Sequence, residues 1–321
     1  MSTIEEALVG LGFAVPVHVQ GRASIADLFK PGKRCGIYVL HCSGSEYYAG
    51  KAIDVTRRYT QHRANHSDIE WISFREVQRD AHRVEEPRVI DALEAAGFLL
   101  RNIQYTSFPT VATDLDTIIP QEEQTRWLDD PAHNDLSGSR ATSPDLSRKY
   151  LKKYQKLVGM PHSDEIIGVM RKYVRVGIPA PLRTELSFWC CSCLPPYGGG
   201  ITLYSRINIY LPEVFTVGVE NGIPFYSWHL AASPLSESRT RMWKKMLKRH
   251  RATYTEHQYK SGGPDQLHVK MTGSADSALA FLDEPSIVRA IRRFNLGLMR
   301  KGPSLNSLSH AMPLADRLLE P

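Results

Sequence analysis

GIYVLHCSGSEYYAGKAIDVTRRYTQHRANH, residues 36–66, is the stretch on which the reading of this chain turns. CGIYVLHC (35–42) is rich in β-formers with loosely alternating polarity, which predicts a strand. SGSE is turn chemistry and YYAGK a second strand, so the two should form a hairpin. Asp54 is placed to cap a helix over about 55–64. Helical spacing sets Arg58 and His62 one turn apart on a shared face, with Arg57 and Gln61 beside them. Gly50 is expected to end the second strand and turn the chain, bringing Tyr48 and Lys51 to the start of that helix. Tyr38, on the neighbouring strand, can face the same side as Tyr48.

Moving outward, EWISFREV (70–77) alternates cleanly and predicts a third strand. VEEPRVIDALEAAGFLL predicts a helix over roughly 84–96, with acids near its start and Gly97 as its stop. Pro87 is compatible only with the first turn of that helix. LRNIQYTSFP then runs on extended, and MSTIEEALVGLGF at the other end reads as an acidic amphipathic extension. Taken singly, these residues have ordinary explanations: hairpin tyrosines pack, helix arginines are solvated, and an acid near a helix start offsets its dipole. Taken together they are the parts that cut a phosphodiester. A carboxylate from Glu85 or Glu86 can hold Mg²⁺, a cation can stabilise charge developing on phosphate, and a Tyr or His can relay a proton from the attacking water.

The ordered set GIY (36–38), YAG (48–50), Arg58 and His62 resembles the GIY-YIG nuclease domain. Nine residues separate the half-motifs, Arg58 stands eight beyond Gly50, and His62 follows four later. Lys51 matches the lysine of the repair-nuclease branch. EPRVIDALEAAGFLLRN resembles the family's last helix, which supplies a metal-binding Glu and a closing Asn, here Glu86 by register with Ile90, and Asn102. Ala49 departs from the usual Ile or Val without removing a catalytic atom, and Glu85 stays open as the alternative ligand. The resemblance implies an α+β fold, a small three-stranded antiparallel sheet flanked by helices. It also implies one-metal hydrolysis of nucleic acid, with Glu86 binding Mg²⁺ or Mn²⁺ and Arg58 stabilising the phosphate. Tyr38 or Tyr48 would take the water's proton, directly or through His62, with Lys51 and Arg58 lowering the phenol pKa. Asn102 would orient or close the site.

Residues 1–118 therefore read as the nuclease unit with a helical extension. Residues 119–147, PQEEQTRWLDDPAHNDLSGSRATSPDLS and its lead-in, are rich in Asp, Ser, Pro and Gly and read as a linker or long loop. A larger mixed α/β unit, 148–321, resembles no family and reads as a helix over 164–175, strands over 184–193, 201–210, 213–219, 223–230 and 267–272, and helices over 239–251 and 276–300. The charge lies here. Residues 1–119 carry 13 Lys and Arg against 15 Asp and Glu, and the remainder 27 against 19. SRTRMWKKMLKRHRATY (238–254) concentrates Arg239, Arg241, Lys244, Lys245, Lys248 and Arg249, with Trp243, Met246 and Leu247 as its inward stripe. RAIRRFNLGLMRK (289–301) adds Arg292 and Arg293. With Arg57 these are the candidate phosphate contacts, so DNA is the expected partner, RNA stays open, and a homodimer is a candidate assembly.

FWCCSCLPP clusters Cys190, Cys191 and Cys193 without the second pair a zinc site prefers, although His229 or His250 could serve; buried strand cysteines are the plainer account. PPYGGG lacks the GK[ST] of a phosphate loop. The five cysteines among 321 residues argue against a disulfide framework. No apolar run approaches the ~20 residues of a membrane helix, and the start lacks a secretory pattern. The expected setting is a reduced cytoplasm.

Overall fold

The computed structural model describes residues 3–64, 66–236, 240–255 and 258–320, with 236 and 240–243 described in backbone only. Two compact units divide the chain between Val111 and Ala112, seven residues before the expected boundary. Both are α+β.

The first unit runs α1 (Ile4–Gly10), β1 (Val17–His18), β2 (Gly36–Cys42), β3 (Glu46–Ala52), α2 (Val55–Arg63), β4 (Ile69–Glu76), α3 (His82–Ala95) and β5 (Leu99–Leu100). Its sheet has the order β1-β4-β2-β3-β5. The three expected strands are its antiparallel centre. The expectation of three strands is corrected to five, because a two-residue strand borders each side, β5 running parallel to β3.

Every residue of β2 is buried, which explains the loose alternation: both faces of the central strand are dry. One face carries Tyr38 and Leu40 against Val55 and Tyr59 of α2. The other carries Ile37, Val39 and Ala49 against Val89, Ile90 and Leu93 of α3. Each large aliphatic so buried contributes roughly 2 kcal/mol. Asp54 caps α2, accepting from the backbone N–H of Thr56 at 2.9 Å and Arg57 at 3.3 Å. Val55, Tyr59 and His62 form the buried stripe of α2, so His62 is drawn inward by the packing of its own helix.

Helix α3 begins at His82, before the expected 84, and Pro87 therefore lies inside it rather than in its first turn. There the ring removes one N–H and opposes the carbonyl of Arg83. Gly97, at φ +86°, ends the helix as read, and the Phe98 N–H returns to the Leu93 carbonyl at 3.1 Å.

The second unit runs α4 (Gln121–Asp129), α5 (Pro144–Val158), α6 (Ser163–Gly177), α7 (Pro181–Thr184), β6 (Trp189–Cys193), β7 (Ile201–Ile209), β8 (Glu213–Glu220), β9 (Ile223–Leu230), α8 (Ser233–Ser236), α9 (Thr240–Arg249), β10 (Ala252–Thr255), β11 (Leu267–Thr272), α10 (Ala275–Leu282), α11 (Pro285–Met299) and α12 (Met312–Leu319). The supposed linker contributes α4, whose Trp127 is buried, so this segment belongs to the second unit's core. The sheet order is β10-β11-β9-β8-β7-β6, with antiparallel neighbours throughout. Helices cover one face: Tyr173 of α6 stacks on Phe215 at 4.8 Å, and Phe281 of α10 meets Trp228 at 5.0 Å. The strand expected over 184–193 starts only at Trp189, after the short α7. Among the described residues no helix is long and apolar enough to cross a membrane.

Candidate active site

Strand register builds the site. Tyr38 lies opposite Gly50, and Leu40 opposite Tyr48. Gly50 does not end β3, which runs to Ala52. Its lack of a side chain serves another purpose: a Cβ there would stand 2.5 Å from Tyr38 Oη and 3.1 Å from the Tyr48 ring. Glycine is what lets the phenol of Tyr38 lie across the neighbouring strand.

That phenol meets α2. Tyr38 Oη is 2.7 Å from His62 Nε2, and Arg58 Nε–H donates to the same oxygen at 3.4 Å. Tyr48 packs against His62 with ring centroids 4.6 Å apart, and lies 6.4 Å from Tyr38. From α3, Glu86 reaches Lys51 of β3, Oε2 to Nζ 2.8 Å, with its carboxylate side chain only 13% exposed. Adjacent Glu85 turns elsewhere, held by Arg75 and by Arg88 at 2.7 Å. Of the two acids, Glu86 is the one whose charge acts on both phenols.

The protonation states differ from expectation. The Tyr38 phenol is pushed well above its usual 10, because burial, then the neighbouring Tyr48, outweighs the Arg58 guanidinium. Burial raises Tyr48 as well. The expected lowering by Lys51 and Arg58 is thus corrected: cations at a site lower a phenol pKa only when the loss of water costs less than they return. His62 moves the other way, down to about 4, through burial, then Arg58 and His66. At neutral pH the imidazole is uncharged. Tyr38 Oη, which accepts from Arg58, shares a hydrogen bond with Nε2 of His62 whose direction follows the imidazole tautomer.

Asn102 is bonded to backbone. It is buried, and its amide is spent on β3, Oδ1 accepting from Ala49 N–H at 2.9 Å and Nδ2–H donating to Ala49 O at 2.7 Å. It holds the strand that carries Tyr48 and Lys51. His66 joins the cluster unannounced. Its ring stacks on His62 at 5.8 Å and lies 6.0 Å from Tyr48, and Arg101, itself paired with Asp68 and Glu46 at 2.6 Å each, approaches its Nδ1 at 3.5 Å. The signal was present, for His66 continues the four-residue spacing from Arg58 to His62.

The phosphate-contact candidates separate sharply. Arg57 is exposed on α2. On α9, Lys244, Lys245 and Lys248 are exposed while Met246 and Leu247 point inward. Arg249 pairs with Glu284 at 3.0 Å and Arg293 with Asp265 at 3.4 Å. Arg239 lies outside the described residues, and Arg241 is described in backbone only. Arg292 is a correction: it has no exposure. It donates to the carbonyls of Val176, Trp127, Asp130, Pro131 and His133 and sits 4.5 Å over the Trp127 ring. Its charge anchors the α4 segment to α11 and is closed to a ligand.

The five cysteines are free thiols, and Cys190, Cys191 and Cys193 are buried in β6. His250 is engaged by Glu284 at 3.3 Å and His229 by the Glu213 carbonyl at 3.1 Å. Among the described residues no group of three or more His, Cys, Asp or Glu side chains is placed to hold a metal ion. Glu86 alone fits a hard cation that takes one or two protein carboxylates and fills its remaining positions with water and phosphate oxygens, once Lys51 releases it. No protein-family model, no curated protein and no solved structure matches the chain.

Proposed function

We propose that the first unit is a metal-assisted phosphodiesterase of the GIY-YIG type acting on DNA, and that the second unit holds the substrate. What supports this reading is one constellation: the Tyr38 hydroxyl between Arg58 Nε at 3.4 Å and His62 Nε2 at 2.7 Å, on a unit where Glu86 is reached by Lys51 at 2.8 Å. The phenol accepts the attacking water's proton while passing its own to neutral His62, so no tyrosinate is needed and a high phenol pKa is no obstacle. The hydroxide so formed attacks phosphorus, the bond to the leaving oxygen breaks, and that oxygen takes a proton from solvent. Arg58 stabilises the charge gathering on the phosphate oxygens. Glu86 would hold Mg²⁺ or Mn²⁺, which supplies neutralisation of phosphate charge when bound. Lys51, freed from Glu86, is then a second cation for the phosphate. His66 helps keep His62 uncharged, and Gly50 and Asn102 hold the strand geometry.

The Lys51–Glu86 ion pair also favours a second reading, a nucleic-acid-binding protein that does not cut because its carboxylate is permanently neutralised. Mg²⁺-dependent cleavage by the wild type separates the two, and Glu86→Gln then tests the carboxylate. The replacement is isosteric, and Mg²⁺-dependent cleavage of plasmid should fall at least a hundredfold while affinity for duplex DNA stays within about twofold. Cleavage at the wild-type rate by Glu86→Gln would remove Glu86 from the mechanism.

A further inference from the structure

The second sheet carries a cavity of about 260 Å³, lined chiefly from β8, β9 and β11. Strand alternation supplies its floor from Phe225, Ser227 and His229 of β9 and His268 and Lys270 of β11. Tyr197 and Tyr259 stand at its sides, Tyr197 58% exposed with the Arg206 guanidinium 5.8 Å over its ring. Gly218 of β8 lies opposite Phe225, and a Cβ there would come 3.1 Å from the Phe225 ring and 2.2 Å from the Thr202 carbonyl. The adjoining ladder to β7 slips register between Leu203 and Ser205. The glycine therefore accommodates the bulged β7 backbone beside the cavity.

The lining restricts what an occupant can be. Lys270, which lines the cavity, pairs with Glu220 at 2.7 Å, and Arg206 beside Tyr197 pairs with Glu213 at 3.0 Å, so an uncharged occupant is favoured. Its walls are flat rings: His229 lies 4.8 Å from Tyr259 and stacks on His268 at 4.5 Å. Its buried polar groups both donate and accept. Ser227 Oγ contacts His268 Nε2, and Thr255 Oγ1 is 2.6 Å from His268 Nδ1; Ser227 and His229 are buried. These side chains, beside the Phe225 ring, offer an occupant both hydrogen-bonding edges and an apolar contact. The volume is below that of a drug-sized pocket and suits a single ring system.

We infer that this cavity binds a neutral planar heterocycle with hydrogen-bonding edges, that is, a nucleobase, presented by a free nucleoside or by a base turned out of a duplex. The inference stands independently of the nuclease reading, because its readout is binding.

The test is calorimetric titration of the full chain with adenosine, guanosine, cytidine, thymidine and glucose. A second arm compares a duplex carrying one bulged base with its fully paired counterpart. Two variants accompany it: Thr216→Phe, which fills the cavity from β8, and Tyr197→Ala, on an exposed loop. The expected result is saturable binding of at least one nucleoside, or preference for the bulged duplex, weakened at least fivefold by Tyr197→Ala and more by Thr216→Phe. Binding of nucleosides marks the free ligand as the source, and preference for the bulged duplex alone marks the extruded base. If Thr216→Phe does not fold, Tyr197→Ala alone decides. The inference is overturned if no probe binds, if glucose binds in place of every base, or if Tyr197→Ala leaves affinity unchanged.

Discussion

Tyr38 owes its position to residues assigned no part in the chemistry. Gly50 clears the path for its ring, and the α2 stripe through Val55 and Tyr59 turns His62 toward its hydroxyl. Gly50→Ala is therefore expected to displace the phenol. It should destabilise the first unit by about 1–3 kcal/mol, the usual range for forcing extra volume into a packed site, and reduce cleavage at least tenfold. Thermal melting and plasmid cleavage check it, and a variant equal to wild type in both would show that the hydroxyl is not confined as described. Arg58 and His62 were legible from spacing, because helical period sets which side chains of one helix share a face, whereas Glu86 was chosen over Glu85 only through the family resemblance. The protonation states were not. They depend on how much water the packing removes, and Val19 and Ile25, which complete the core around Tyr38, lie in a stretch with no periodicity to announce them.

At the scale of elements, β2, β3, β4 and α2 were readable within a residue or two, since β-alternation and an Asp cap are local signals. The two-residue β1 and β5 were not, for they exist only by pairing with strands already formed. Helix α4 was hidden by composition: its QEEQTRWLD is polar because it buries mainly Gln124 and Trp127. Arg292 was misread for the complementary reason. Helix α11 is enclosed on most of its circumference, so a basic residue in its run can fall inside. Arg292→Met leaves the carbonyls of Trp127, Pro131 and His133 to find other donors. It should destabilise the second unit by about 3 kcal/mol, in the range for unpairing buried polar partners of a charge. Arg293→Met, on the exposed side, should stay within about 0.5 kcal/mol. Denaturant melts of the two variants check this; equal effects would mean that Arg292 is not the anchor.

Over the whole molecule, the basic excess of the second unit shrinks once its geometry is known. Arg292 is internal, and Arg206, Arg249, Lys270 and Arg293 each have an acidic partner. Lys244, Lys245 and Lys248 remain exposed on α9, over the inward Met246 and Leu247. Replacing the three lysines with glutamate should weaken duplex binding and flatten the dependence of log K on log salt by about 0.9 for each phosphate no longer neutralised. An unchanged salt slope would take α9 out of the DNA surface.

The central claim is that the Tyr38–His62–Arg58 cluster, with Glu86, hydrolyses phosphodiester bonds. Incubation of the purified full chain with supercoiled plasmid and Mg²⁺, beside Tyr38→Phe, tests it most directly. Removing one hydroxyl leaves the ring packing intact. The account predicts nicking by the wild type that chelation stops, and a rate at least a hundredfold lower for Tyr38→Phe at equal duplex affinity. No Mg²⁺-dependent cutting by the wild type, or equal cutting by the two proteins, would contradict it.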